Sequence, residues 1–135
     1  MKDNKREDNP HQEPLPISES QLLNTGKLDA MRELMGEDFV ELIPAYQESL
    51  ESLFNELDQG VESGDMQVTQ RVAHSIKSAS LNVGAEALAK MALDLERQAK
   101  DGQVDHAGEK AHDLKITYTK LESLLHEYEK HSSAG

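Results

Sequence analysis

Apolar residues recur at steps of three and four along most of this chain, and nowhere alternate in twos over a useful length. That period belongs to helices packed by one face. The first long stretch, from about Glu37 to Glu62, repeats Phe39, Leu42, Ile43, Tyr46, Leu50, Leu53, Leu57 and Val61. Pro44 lies early in it and has no backbone donor, which predicts a kink or a helix starting later than Glu37. The second stretch, about Asp65 to Val83, carries Val68, Val72, Ile76, Ala79 and Val83. Asp65 is placed to cap its start, and Gly84 to end it in a left-handed conformation. The third, Ala85 to about Lys100, repeats Leu88, Met91, Ala92, Leu95 and Ala99, with Gly102 as its stop. The fourth, about Asp105 to Lys130, repeats Ala107, Ala111, Leu114, Tyr118, Leu121, Leu125 and Tyr128.

Connections of only a few residues force consecutive helices to run antiparallel. The fold class expected is all-α, an up-down-up-down four-helix bundle. A shorter pattern, Leu28 to Met35, sets Leu28, Met31, Leu34 and Met35 on one side and ends at Gly36, which predicts a short extra N-terminal helix. Before it the chain is polar, with Pro10, Pro14 and Pro16 and no apolar period. The expected organisation is a flexible tail over residues 1–20, the bundle over 21–131 and a disordered C-terminus over 132–135.

Composition narrows the function classes. With 26 acids against 14 Lys plus Arg, the net charge of −12 argues against nucleic acid and against anionic membrane as partners. There is no Cys, hence no disulfide framework, thiolate metal site or cysteine nucleophile. No segment is long and apolar enough to span a bilayer, and the N-terminus has no signal-like apolar run. A cytoplasmic location is the expectation. The starting Met and the tail favour a stand-alone chain, and a monomer is expected. His106, His112, His126 and His131 form no i, i+4 pair of histidines, so no metal site is expected.

Against this acidic background one window stands apart. From Gln67 to Ala85 there is no Asp or Glu, and the ionisable side chains are Arg71, His74 and Lys77. A negative group carried on an imidazole is disfavoured by carboxylates nearby, so the window suits such a site. Taking Val72 as zero and about 100° per residue, Val68, Ile76, Ala79 and Val83 fall within about 40°, whereas His74 lies near 200° and Lys77 near 140°. His74 is expected on the solvent side, with Gln67, Gln70, Arg71, Lys77, Ser78 and Leu81 around it. A surface histidine alone usually does nothing. Here Lys77 sits one turn away, small side chains (Ala73, Ser75, Ser78, Ala79, Ser80) leave the ring proud, and Leu81 adds an outward apolar spot for docking.

These residues resemble a known family. Ala73-His74-Ser75-Ile76-Lys77-Ser78, the small-residue stretch to Gly84-Ala85, and the later Leu95-Glu96 are similar to the histidine phosphotransfer (HPt) pattern of bacterial-type multistep phosphorelays. That pattern reads Ala-His-x-Leu-Lys-Gly, then Leu-Gly, then Leu-Glu. Glu41-Leu42-Ile43 and the position of Gly36 also look like the family, and the resemblance covers about Leu28 to Tyr128. It implies that His74 is phosphorylated, that Lys77 assists phosphoryl binding, and that Gly84 marks the turn after the active helix. Ser78 stands where the family usually has Gly; its bulk and hydroxyl are expected to alter partner selectivity rather than abolish function.

The resemblance implies a phosphoryl carrier without kinase activity of its own, and the chain has no Gly-rich loop or carboxylate cluster beside His74 for ATP chemistry. Its partners would be response-regulator receiver domains and a hybrid sensor kinase. The carrier needs no cofactor, since Mg²⁺ is expected on the receiver. His74 would attack a receiver phospho-aspartate through Nε2 and hand the group to a second receiver, while Lys77 offsets charge on the phosphoryl oxygens. No added base is required, because an imidazole at its ordinary pKa of about 6.5 is largely neutral near pH 7. Arg71 either steers the acidic receiver site or is merely solvated. The competing class is a helical adaptor that binds receivers without relaying phosphate, through the first helix with its eight acids and no Lys or Arg between Glu37 and Ser63. The carrier reading requires the His74 ring outside the bundle and its cationic neighbour at hand.

Overall fold

The computed structural model describes residues 18–134, and the part of the expected tail over 1–17 lies outside them. Two short helices come first, α1 (Glu19–Leu22) and α2 (Thr25–Met35), then a 3₁₀ segment Gly36–Glu41. Four long helices follow: α3 (Leu42–Ser63), α4 (Met66–Asn82), α5 (Glu86–Lys100) and α6 (Val104–Ala134). No strand occurs among the described residues.

Local chemistry explains the boundaries. Ser18 and Gln21 form a reciprocal cap at the start of α1: the Ser18 hydroxyl accepts from the Gln21 amide, and the Gln21 side chain accepts from the Ser18 amide. Asn24 Oδ1 caps α2 by accepting from the Lys27 amide at 3.1 Å, and Asp65 Oδ1 caps α4 by accepting from the Val68 amide at 3.2 Å. Pro44 falls in the first turn of α3, where an amide has no intrahelical partner anyway, so the helix starts late and needs no kink there. Ala85 precedes α5 as its cap instead of lying within it, and α6 runs past the expected end near Lys130.

α4 packs between α3 and α5, α5 packs on α6, and α6 returns to α3, which closes the four-helix ring. Leu50, Leu57, Val72, Ile76, Leu88, Leu95, Leu114, Leu121 and Leu125 are fully buried inside it. Each such side chain contributes roughly 2 kcal/mol through removal from water. Two details differ from the periodic reading. Phe54 joins the core although the expected stripe passed over it. Leu34, placed with Leu28 and Met31, is 88% exposed, because α2 meets the bundle only along the line of Leu28.

The α1–α2 pair seals the far end of α4. Gly84 has φ +83°, and a Cβ there would lie 2.9 Å from the Asn24 carbonyl oxygen. The Asn24 amide donates to the Gly84 carbonyl at 2.8 Å, and Lys27 Nζ donates to the Leu81 carbonyl at 2.6 Å. The Leu81 carbonyl in the last turn of α4, which also accepts from the Gly84 amide at 3.3 Å, and the Gly84 carbonyl just beyond the helix thus take donors from Lys27 and Asn24. Deeper in, Tyr46 and Ser80 share a buried hydrogen bond of 2.8 Å that ties α3 to α4. Burial pushes the Tyr46 hydroxyl well above the usual tyrosine range, the Ser80 bond opposing it in part.

Candidate functional site

α4 fixes the direction of every side chain singled out from the sequence. Val72, Ala73 and Ile76 are fully buried, so positions on the opposite face must meet solvent. His74 does, with 57% of its side chain exposed. Gln67, Arg71, Ser78 and Leu81 are exposed, and Gln70, Ser75 and Lys77 are half-buried. Gln67, Gln70, Arg71, His74 and Ser75 line one shallow depression of about 330 Å³ together with Glu96 from α5. Ser78 and Leu81 lie outside it, further along α4. Arg71 turns to α3, 3.9 Å from Glu56, an exposed ion pair that holds it only weakly.

The side chain the α4 window cannot show is Glu96. Its Oε2 is 3.1 Å from His74 Nδ1, and its Oε1 is 3.6 Å from Lys77 Nζ. The site is therefore not free of carboxylates, as the acid-free window implied; packing of α5 on α4 delivers one from outside the window. Lys77 leans onto an acidic residue, which by itself would count against the site. That carboxylate is the one His74 bonds, so the ammonium remains beside the imidazole. The signal was present as Leu95-Glu96 in the family-like pattern, but no spacing within α4 assigns it a place.

A carboxylate only accepts, so Nδ1 carries the hydrogen, and in the neutral ring the lone pair is then on Nε2. Glu96 Oε1 is buried and closes no hydrogen bond, with the Lys77 ammonium as its nearby counter-charge. The group can hold a neutral imidazole in one tautomer, stabilise positive charge on the ring and offer a cation to an anion bound there. Gly84 lies at the α4–α5 turn and touches neither ring nor ammonium.

Residues 37–130 match the family model described as Hpt domain. The chain belongs to the Hpt domain family. Among curated relatives, the phosphorelay protein LuxU of Vibrio vulnificus, in strains YJ016 and CMCP6, is 30% identical over 83 residues, covering 61% of this chain and 72% of that protein. Among solved structures, histidine-containing phosphotransfer protein B (HptB) from Pseudomonas aeruginosa PAO1 superposes with a TM-score of 0.76 at 24% identity, covering 81% of this chain and 96% of that one. That likeness shows the helical fold is the Hpt bundle. The α1–α2 pair precedes the span that the family model matches, yet Leu22, Leu23 and Leu28 are buried.

Proposed function

We propose that His74 is the residue through which this Hpt domain carries its phosphoryl group, with Lys77 and Glu96 as its supporting charges. The role of the chain is histidine phosphotransfer in a phosphorelay. What supports His74 as the carrier is its half-exposed ring, with Nδ1–H held by Glu96 and Nε2 open to an approaching protein.

In the proposed cycle the Nε2 lone pair attacks the phosphorus of a receiver phospho-aspartate in line. The N–P bond forms as the bond from phosphorus to the aspartyl oxygen breaks, and the aspartate leaves as carboxylate. Positive charge builds on the ring as the bond forms, and the Glu96 carboxylate at Nδ1 stabilises it. Lys77 is shared between Glu96 and the incoming phosphoryl oxygens. Transfer to a second receiver reverses these steps. Any Mg²⁺ the reaction uses is held by the receiver, and the carrier makes no phosphoryl group of its own. Gln67, Gln70, Arg71, Ser78 and Leu81 form the docking rim, with Ser78 tuning partner choice by its bulk. Residues 21–131 form the carrier unit, which acts as a cytoplasmic monomer between a hybrid sensor kinase and its receivers. The described residues contain no helix long and apolar enough to cross a membrane.

His74→Gln tests the assignment directly. Incubated with a ³²P-phosphorylated receiver, the variant should keep its helical circular dichroism and take up no acid-labile label. Labelling at the wild-type level would remove His74 from the reaction.

A further inference from the structure

Each cation beside His74 is paired to an acid on a different neighbouring helix. With Val72 as zero on the α4 wheel, Arg71 falls at about 260°, His74 at about 200° and Lys77 at about 140°, so the ring stands between the two. Lys77 lies 3.6 Å from Glu96 of α5, and Arg71 lies 3.9 Å from Glu56 of α3. The two pairs differ in what it costs to open them. The Lys77 and Glu96 side chains are only 25% and 20% exposed, and Glu96 Oε1 is buried with no hydrogen bond. Taking the ammonium away strands that oxygen, so Lys77 can lean toward a second anion but not leave the first. Arg71 and Glu56 are 61% and 47% exposed. Water replaces each partner as the other departs, and such a pair opens at little cost.

Position favours Arg71 as well. Helical side chains lean toward the N-terminus of their helix, so the His74 ring covers the turn that carries Arg71 and Gln70. The depression beside the ring is lined by Arg71 and not by Lys77. A phosphoryl group brings more than one negative charge and three acceptor oxygens, and Lys77 answers only part of that while it still neutralises Glu96. Resting on His74 as the carrier, we propose that Arg71 leaves Glu56 when His74 is phosphorylated and binds the phosphoryl oxygens, so that the carrier gives up one ion pair as it gains another. A guanidinium can fork onto two of those oxygens, which an ammonium cannot. The exchange sets the phosphoryl equilibrium between receiver and carrier, beyond any part Arg71 has in docking. By linkage, Glu56 disfavours phosphohistidine by as much as phosphorylation weakens the hold of Glu56 on Arg71.

The test is a competition between carriers. The ¹⁵N-labelled wild-type chain, phosphorylated by a receiver, is mixed with an equal amount of unlabelled variant, Mg²⁺ and a trace of the same receiver. The phosphoryl share of each chain is read by intact mass spectrometry once it stops changing. An equilibrium share is blind to docking, which alters only the rate of approach. Arg71→Gln should hold about threefold less phosphoryl group than wild type, and Arg71→Lys should recover about half of that loss. Glu56→Gln should hold about twofold more, and the same change made on Arg71→Gln should add nothing. Lys120→Gln, which removes an exposed cation on α6 across the bundle from α4, should match wild type. Equal shares for Arg71→Gln and wild type, a gain from Glu56→Gln that persists without Arg71, or a loss from Lys120→Gln as large as that from Arg71→Gln would each overturn the proposal. Phosphoryl uptake by His74→Gln in the same mixture would instead remove His74, and only that outcome reaches the carrier assignment itself.

Discussion

Removing the Glu96 carboxylate puts two opposing effects on the same atom, and their sizes decide the outcome. The bond from His74 Nδ1 to Glu96 Oε2 is 3.1 Å long, but the His74 side chain is 57% exposed. A hydrogen bond involving a charged group contributes about 1.5–3 kcal/mol, and solvent competition at this exposure places the value near the lower end. Against it, the carboxylate repels the phosphoryl group across the ring. At roughly 7 Å in water, Coulomb's law gives about 0.6 kcal/mol per pair of unit charges, which salt and a dianionic phosphoryl group together leave at about 0.5 kcal/mol. The net of about 1 kcal/mol favours Glu96, which corresponds to about a fivefold rate. Glu96→Ala should therefore slow single-turnover transfer from a ³²P-labelled receiver about fivefold. Glu96→Gln keeps an acceptor for Nδ1–H and loses the charge, so it should fall between, about twofold down. Raising salt should narrow the repulsive part only, leaving Glu96→Ala slow. If Glu96→Ala transfers as fast as wild type or faster, repulsion dominates and the positioning role assigned to Glu96 is wrong.

Lys77→Ala should slow transfer severalfold or shorten the lifetime of phosphohistidine, and unchanged kinetics in both directions would remove Lys77 from the mechanism. Gly84→Ala places a Cβ 2.9 Å from the Asn24 carbonyl at a φ of +83°; left-handed strain of about 1–2 kcal/mol plus displacement of the Asn24 contact should cost about 2–4 kcal/mol in urea unfolding, and a loss below 1 kcal/mol would contradict the close approach. Tyr46 and Tyr118 hold their protons above the ordinary tyrosine value of 10.0, chiefly through burial. Unfolded tyrosines ionise near that value while these do not, so their stabilising contribution is full below pH 10 and is lost as the pH rises beyond it. Thermal melts across pH 9 to 12 should show that decline, and Tyr46→Phe should flatten it; an unchanged slope would mean the ring is not buried as described.

The helices were legible in the chain because a repeating apolar step constrains every turn in the same way. Asp65, Gly84 and Gly102 marked ends that the structure places within a residue or two. The outward direction of His74 followed from counting along a single helix. Leu34 misled because periodicity locates a face without saying how much of it a neighbour covers. Pro44 left two outcomes open, and the late start prevailed because a first-turn position has no hydrogen bond to lose. The capping of α4 by Asn24 and Lys27 carried no signal, since a carbonyl at a helix end accepts from whatever donor packing brings near it.

His74, Lys77 and the small residues around them are set by sequence alone, because residues three apart on one helix must share a face. The fold determines the charge they work in. Glu96 stands 22 residues from His74, and only the packing of α5 on α4 brings its carboxylate to Nδ1, which in the neutral ring leaves the lone pair on Nε2. Local spacing governs direction along a helix; electrostatics falls off with distance through space, so it answers to tertiary structure.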